Sequence, residues 1–124
     1  MTPIRVNYVI VSVSDMRRSV AFYRDVFGLP LKFETPGWTE FASDGAILAL
    51  HASEDSNSAK DNPQRVPAGR CRPGLSVSNL DEFHKRMLKS NVTCAQEPKE
   101  DFGARLAQYL DPDGLAITVG EHRS

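Results

Sequence analysis

The feature that most constrains this chain is a short sequence that occurs twice. Residues 12–16 read SVSDM and residues 76–80 read SVSNL. Each copy follows an alternating apolar run and precedes a helical pattern, so each predicts a junction from a strand to a helix. A second repeat, DGAILAL at residues 44–50 and DGLAITV at residues 113–119, predicts a turn followed by a short strand in both halves. Because the two repeats occur in the same order in each half, they predict an internal duplication.

Each half is predicted to contain one strand, one helix and three further strands. In the first half the helix begins at Ser14 or Asp15 and ends at Gly28. In the second half Asn79 caps the helix, and Glu82 completes a capping-box sequence. The predicted strands are 5–13, 31–34, 38–42 and 46–51, then 72–77, 92–95, 105–110 and 115–120. The apolar helix stripes are Met16, Val20, Tyr23 and Phe27, then Leu80, Phe83, Met87 and Leu88.

The length favours one domain built from two modules. A chain of 124 residues can bury one core, whereas a module of about sixty residues is marginal alone. We therefore expect the modules, about 1–52 and 70–124, to share a core or to complete it with a second copy. Residues 52–69 are polar and proline-containing, which favours a solvated linker, with a lid over a ligand as the alternative.

Composition excludes two classes of partner. The net charge is −1, so there is no excess of Lys and Arg to neutralise phosphates, and we expect no nucleic acid. No apolar run is long enough to span a membrane, and the amino terminus lacks the apolar core of a signal peptide, which makes the cytoplasm the expected location. Cys71 and Cys94 have no metal-site spacing and are interpreted as half-buried thiols.

Three segments together resemble one protein superfamily. They are VSDMRRSVAFYRDVFGLPL at 13–31, VSNLDEF at 77–83 and LDPDGLAITV at 110–119. They resemble the vicinal oxygen chelate superfamily, which includes glyoxalase I, extradiol dioxygenases, fosfomycin-resistance proteins and bleomycin-resistance proteins. The resemblance implies an α+β fold in which two βαβββ modules form a curled mixed sheet, a half-barrel, around a cavity. Such cavities are commonly built at a dimer interface, so a homodimer is expected.

The resemblance also implies where a metal would bind. Enzymes of the superfamily place His or Glu on the first and last strand of each module. The matching positions are Tyr8, Ala49, Arg72 and Thr118, and the internal repeat gives the same pairing. Ala49 has no donor atom, the positive Arg72 would repel a divalent cation, and neither Thr118 nor a protonated Tyr8 is a good ligand. We therefore predict neither a metal nor another cofactor.

The favoured function is binding of a small molecule, such as an antibiotic or metabolite, in a metal-free cavity similar to that of bleomycin-resistance proteins. An apolar, aromatic site with a few polar groups suits that role. The predicted ligand-binding residues are Tyr8, Trp38, Ala49, His51, Arg72, Tyr109 and Thr118, with Glu40 as a further wall residue. Arg72 predicts an anionic ligand, because its guanidinium matches two oxygens. Alternatively, Arg72 pairs with Glu40 or faces solvent.

Two other functions stay open at this point. One is an enzyme: either a glyoxalase-like lyase or dioxygenase with ligands relocated to His51, Glu40, Glu121 and His122, or a metal-free catalyst with His51 as general base. The other is a structural homodimer whose cavity is filled by side chains. No catalytic residue is assigned, because no nucleophile motif or phosphate-binding loop occurs.

Overall fold

Two four-stranded sheets form the framework of the protein. The structure, a computed structural model, describes residues 6–53, 72–101 and 103–121. The chain divides into two compact units, Met1–Ser56 and Asn57–Ser124. Cys71, His122 and nearly all of the predicted linker, 52–69, lie outside the described residues. Within the described residues, no helix is both long and apolar enough to cross a membrane.

The first unit has the order strand, helix, three strands. Strand β1 (Tyr8–Val13) leads into helix α1 (Met16–Ala21), which a π-helical turn, Phe22–Val26, continues. Strands β2 (Leu31–Glu34), β3 (Trp38–Phe41) and β4 (Ile47–Ala52) follow. The sheet order is β1-β4-β3-β2, with β1 and β4 parallel and the other pairs antiparallel.

The second unit repeats this arrangement. It contains β5 (Gly74–Val77), α2 (Leu80–Lys89), β6 (Cys94–Asp101), β7 (Ala104–Leu110) and β8 (Ala116–Glu121). The sheet order is β5-β8-β7-β6, and again only the first and last strands of the unit are parallel. The α+β class and the predicted βαβββ order in both halves are therefore confirmed.

Both helices begin at the repeated sequence. The Asp15 carboxylate accepts a hydrogen bond from the Arg18 backbone N–H at 3.1 Å, which decides between the two predicted caps. At the matching position, Asn79 Oδ1 accepts from the backbone N–H of Glu82 at 3.0 Å. Each side chain satisfies an amide that the first helical turn would leave unpaired.

The predicted helix stripes supply much of both cores. In the first unit the four stripe residues, Met16, Val20, Tyr23 and Phe27, are all buried. In the second unit Leu80, Phe83 and Met87 are buried, but Leu88 is 52% exposed, so its assignment to the core was wrong. Neighbouring helical residues point about 100° apart, and Leu88 lies on the solvent side of Met87.

One strand is longer than the sequence pattern predicts. Strand β6 extends over Cys94–Asp101, although 96–101 is polar and contains Pro98. It lies at the edge of its sheet, and its pairing with β7 shifts register twice between Cys94 and Lys99. An edge strand with bulges tolerates a proline, because some of its N–H groups have no ladder partner.

Candidate functional site

The first sheet has one face packed on the helix and one that we call the open face. Along β1, Val11 and Val13 are buried, whereas Tyr8 and Ile10 are 47% and 57% exposed. Cα partners on neighbouring strands point to the same side of a sheet, so the register extends this division across all four strands. The open face carries Tyr8, Ile10, Ser12, Phe33, Trp38, Glu40, Ile47, Ala49 and His51.

Glu40 is the buried polar group of this face. It is only 8% exposed. Its Oε2 accepts a hydrogen bond from the indole Nε1–H of Trp38 at 2.9 Å, and its Oε1 lies 3.7 Å from the Lys32 ammonium nitrogen. The register shift between Leu31 and Phe33 allows Lys32 to approach from the edge strand. The carboxylate is therefore fixed by one neutral donor and a nearby cation.

Aromatic rings lie next to this carboxylate. The ring centroids of Tyr8 and Trp38 are 6.5 Å apart, and those of Trp38 and His51 are 6.0 Å apart, both in edge-to-face geometry. The hydroxyl of Thr35 accepts from the Trp38 backbone N–H at 2.9 Å and donates to the Trp38 carbonyl oxygen at 2.6 Å. The backbone of the tryptophan is thus held before any ligand arrives.

Ala49 lies between these side chains and is fully buried. Its Cα partners are Ile10 on β1 and Glu40 on β3, so the methyl group lies in the middle of the face. The two larger partners flank a residue whose side chain does not reach above the sheet.

Tyr8 also borders a cavity of about 440 Å³ at the start of β1 and β4, lined by Val6, Asn7, Tyr8, Gly45, Ala46 and Ile47. A volume of this size falls in the range of small-molecule sites.

The second unit places Thr118 on the sheet face opposite α2. Its Cα partners are Gly74 and Gln108, and its backbone N–H donates to the Pro73 carbonyl at 3.1 Å. Gln108 Oε1 is buried and has no hydrogen-bond partner among the described residues. Arg72 is half-buried, two residues before β5. Gln108 is the cross-strand partner of Thr118, as Glu40 is of Ala49. The two units therefore have corresponding residue pairs on the sheet faces opposite their helices.

Tyr109 lies in the core of the second unit, not on the face that carries Thr118. It is fully buried and packs edge-to-face on Phe83 with ring centroids 5.5 Å apart. Its hydroxyl is 2.9 Å from Nδ1 of His84. Burial, and to a smaller extent the Cys94 thiol, raise the pKa of the Tyr109 phenol above its usual range. It is the neighbour of Gln108 along β7 and points to the opposite side of the sheet, so it packs in the core, and its part in a ligand site stays a prediction.

The donor set does not fit the superfamily's metal site. Tyr8 and Ala49 belong to the first unit, Arg72 and Thr118 to the second, and the methyl group of Ala49 offers no lone pair. Across residues 6–53, 72–101 and 103–121, no group of three or more His, Cys, Asp or Glu side chains could hold a metal ion. Fewer than about three protein ligands rarely hold a catalytic divalent ion.

Among the described residues, which do not include His122, the relocated ligands proposed from the sequence form no metal-holding group of three. His51 and Glu40 share the open face. Glu121 instead accepts a hydrogen bond from the Leu80 backbone N–H at 3.0 Å and lies 3.9 Å from Arg105, so it stabilises the start of α2. Cys94 is a free, half-buried thiol, and burial raises its pKa.

Some residues of the open face were not predicted. Ile10 and Phe33 are exposed apolar side chains next to Ala49 and Glu40. The alternation along β1 could have identified Ile10, because residues two apart in a strand, such as Tyr8 and Ile10, point to the same face. Phe33 depends on the register shift in β2, which no sequence pattern revealed.

The comparisons with known proteins agree on one family. The family model described as Glyoxalase/Bleomycin resistance protein/Dioxygenase superfamily matches residues 5–119. The phenazine antibiotic resistance protein EhpR of Enterobacter agglomerans is 30% identical over 114 residues, which cover 91% of this chain and 88% of that protein. The metallothiol transferase FosB of Lysinibacillus sphaericus is 27% identical over 115 residues, covering 92% and 79%.

A solved structure gives the same result for the fold. The crystal structure of a glyoxalase/dioxygenase from Nostoc punctiforme superposes with a TM-score of 0.77, covering 97% of this chain and 92% of that one. Its sequence identity is 20%, so this likeness concerns the fold.

Proposed function

Because this chain belongs to the Glyoxalase/Bleomycin resistance protein/Dioxygenase superfamily, we propose that it binds a planar small molecule on the open face of its first sheet, without a metal ion. The superfamily includes enzymes and binding proteins, so the choice between them depends on the site. Apolar and aromatic side chains on the open face support binding, and the absence of a group of three metal ligands among the described residues supports a site without a metal ion.

The observation that supports this most strongly is the exposure of apolar side chains around a buried carboxylate. Tyr8, Ile10 and Phe33 are each more than 40% exposed on the strands around Glu40. Exposed apolar side chains that share one sheet face are typical of an interaction site. Aromatic side chains offer flat surface on which another ring system can stack, and few rotamers are lost in doing so.

The names of the relatives favour the same ligand class. EhpR is named a phenazine antibiotic resistance protein, and a phenazine is a planar tricyclic molecule. FosB is named a metallothiol transferase, which implies a metal. The donor set around Ala49 argues against the second chemistry here. We infer that the protein sequesters a planar antibiotic or metabolite without changing it.

The remaining site predictions belong to the second unit. Arg72 stays a prediction of an anion contact, and Thr118 stays a prediction of a polar contact. The polar Gln108 beside Thr118 is compatible with a hydrogen-bonding surface there. A homodimer is part of the proposal, and it is considered below with the whole molecule.

Trp38 provides a direct test, because it is the only tryptophan of the chain. Phenazine bound on the open face is expected to quench Trp38 fluorescence with saturation. Phe33→Ala is expected to weaken binding by about 1 to 2 kcal/mol, roughly 5- to 30-fold, through the loss of a stacking surface.

Leu88→Ala is the matched control, because Leu88 is also an exposed apolar residue but lies on α2 of the second unit. Its affinity for phenazine should equal that of the unchanged protein. Absence of saturable quenching, or equal weakening by both substitutions, would contradict binding on the open face.

A further inference from the structure

We propose that the ligand of the open face carries an N–H group that donates a hydrogen bond to Oε1 of Glu40. The inference rests on the proposed function and names the ligand more closely, as a planar aromatic amine or N–H heterocycle. Glu40 would then be the residue that determines specificity.

The two oxygens of Glu40 have different partners. Oε2 accepts from the Trp38 indole at 2.9 Å. The nearest donor to Oε1 is the Lys32 ammonium at 3.7 Å, which is beyond the usual 2.7 to 3.2 Å range of an N–H···O bond. No other hydrogen bond or ion pair of Glu40 occurs among the described residues. Oε1 therefore has acceptor capacity that no donor among the described residues uses.

Burial makes that unused capacity important. The Glu40 side chain is 10% exposed, and the small exposed part includes Oε1, which is not among the buried unpaired atoms of the described residues. A buried carboxylate is costly unless several donors stabilise its charge. The indole N–H is neutral, and the Lys32 side chain is 52% exposed, so neither removes the negative potential of the face. A donor supplied by a ligand would satisfy Oε1.

The surrounding side chains decide which donors can reach Oε1. Glu40 has Ala49 as its Cα partner on one side and Phe33 on the other. Ala49 is fully buried and offers no contact surface, so the side of Phe33, whose side chain is 42% exposed, is the one from which a ligand can approach. A flat molecule with an amino group on its edge can place that N–H at Oε1 while its rings contact Phe33, the neighbour of Glu40 on β2. A carboxylate at the same place would be repelled.

The test uses three probes with one ring system: phenazine, 2-aminophenazine and phenazine-1-carboxylate. Isothermal titration calorimetry with the full chain is expected to show that 2-aminophenazine binds about 10-fold or more tightly than phenazine, since it adds a bond to a charged acceptor. Phenazine-1-carboxylate is expected to bind more weakly than phenazine.

Glu40→Gln retains the shape of the side chain and can still accept from Trp38 through its amide oxygen, but it loses the charge. The preference for 2-aminophenazine over phenazine is expected to fall to less than about threefold, while the affinity for phenazine itself changes little. An unchanged preference in a folded Glu40→Gln protein would overturn the proposal.

A second variant tests the same idea at the surface. Lys32→Ala removes the cation nearest to Oε1 without disturbing a buried group, so the preference for 2-aminophenazine is expected to rise about threefold. Lys99→Ala, an exposed lysine on β6 of the second unit, is the control and should leave the preference unchanged. A lowered preference in Lys32→Ala would assign the ligand contact to Lys32 and overturn the role of Glu40.

The outcomes separate this inference from the proposed function. If phenazine binds and 2-aminophenazine binds no more tightly, the open face is a ligand site but Glu40 does not select an N–H donor. If none of the three probes binds the unchanged protein, the proposed function is contradicted, and the inference falls with it.

Discussion

At the scale of single residues, Ala49 carries the main consequence for function. The resemblance to the superfamily predicts a metal ligand at this position, and the methyl group lies between Ile10 and Glu40. A site centred on such a residue recognises its ligand by shape and by hydrogen bonds, not by coordination. Glu40, one strand away, supplies the charge.

Tyr109 leads to a prediction about alkaline stability. Its folded-state pKa is raised above its usual value near 10, mainly by burial, so the folded protein retains a proton that the unfolded chain releases. Its contribution to stability is complete below the unfolded pKa and is lost as the pH rises from there towards the folded pKa. The melting temperature is expected to fall steeply above about pH 10.

Tyr109→Phe removes the ionisable group, so part of that alkaline slope is expected to disappear. The same substitution breaks the contact with His84 and should cost about 1 kcal/mol at neutral pH. Thermal unfolding followed by circular dichroism from pH 8 to 11 checks both effects. An alkaline slope identical in the two proteins would contradict the assignment.

The sequence predicted the residues of the candidate site only where it showed which face of the sheet a strand residue points to. The repeat places Tyr8 and Ala49, and counting by two along β4 places His51 on the same face. Tyr109 was selected because it is aromatic, whereas its orientation depends on the pairing of Gln108 with Thr118. That pairing is a tertiary property, and a one-residue difference reverses the side of the sheet.

At the scale of secondary-structure elements, the repeated sequence acts by capping helices. Asn79→Ala removes the acceptor for the Glu82 amide and is expected to destabilise the protein by about 1 kcal/mol, within the usual 0.5 to 2 kcal/mol for such caps. Chemical denaturation of the two proteins measures the difference.

Ser78→Ala is the control for that cap, because Ser78 is exposed and precedes the capping residue. Its effect on the free energy of unfolding should stay within about 0.5 kcal/mol. Equal losses from both substitutions would show that the cap is not the stabilising feature of this junction.

The elements were predicted well where one physical signal dominated. Apolar periodicity and caps identified both helices, and Gly28, with φ of 90°, lies just beyond the first one, as its freedom to adopt positive φ suggests. The π-helical turn was not predicted. There the Phe27 N–H bonds to the Phe22 carbonyl at 2.9 Å, five residues back. Spacing of apolar residues does not distinguish that turn from an α-helical one.

At the scale of the whole molecule, the two units share one sheet topology but carry different side chains on the faces opposite their helices. The positions of Ala49, Glu40 and His51 in the first unit correspond to Thr118, Gln108 and Gly120 in the second. The first set contains a charged and an aromatic side chain, whereas the second is uncharged and has no aromatic ring. Duplication therefore conserved the framework of each unit and left the face opposite the helix free to change.

The size of each unit leads to a prediction about assembly. Units of about sixty residues are marginal alone, and Tyr8, Ile10 and Phe33 leave apolar surface exposed. Light scattering is expected to show a homodimer at micromolar concentration. A monomer under those conditions would contradict this part of the proposal.

The central claim is that the open face binds its ligand without a metal ion. Titration of phenazine against Trp38 fluorescence tests it most directly when it is performed on protein treated with EDTA and repeated after addition of zinc, manganese or ferrous iron. The account predicts saturable quenching with the same dissociation constant in every case. Quenching that occurs only after one metal is restored would contradict it, and would indicate a site built around His51 and Glu40.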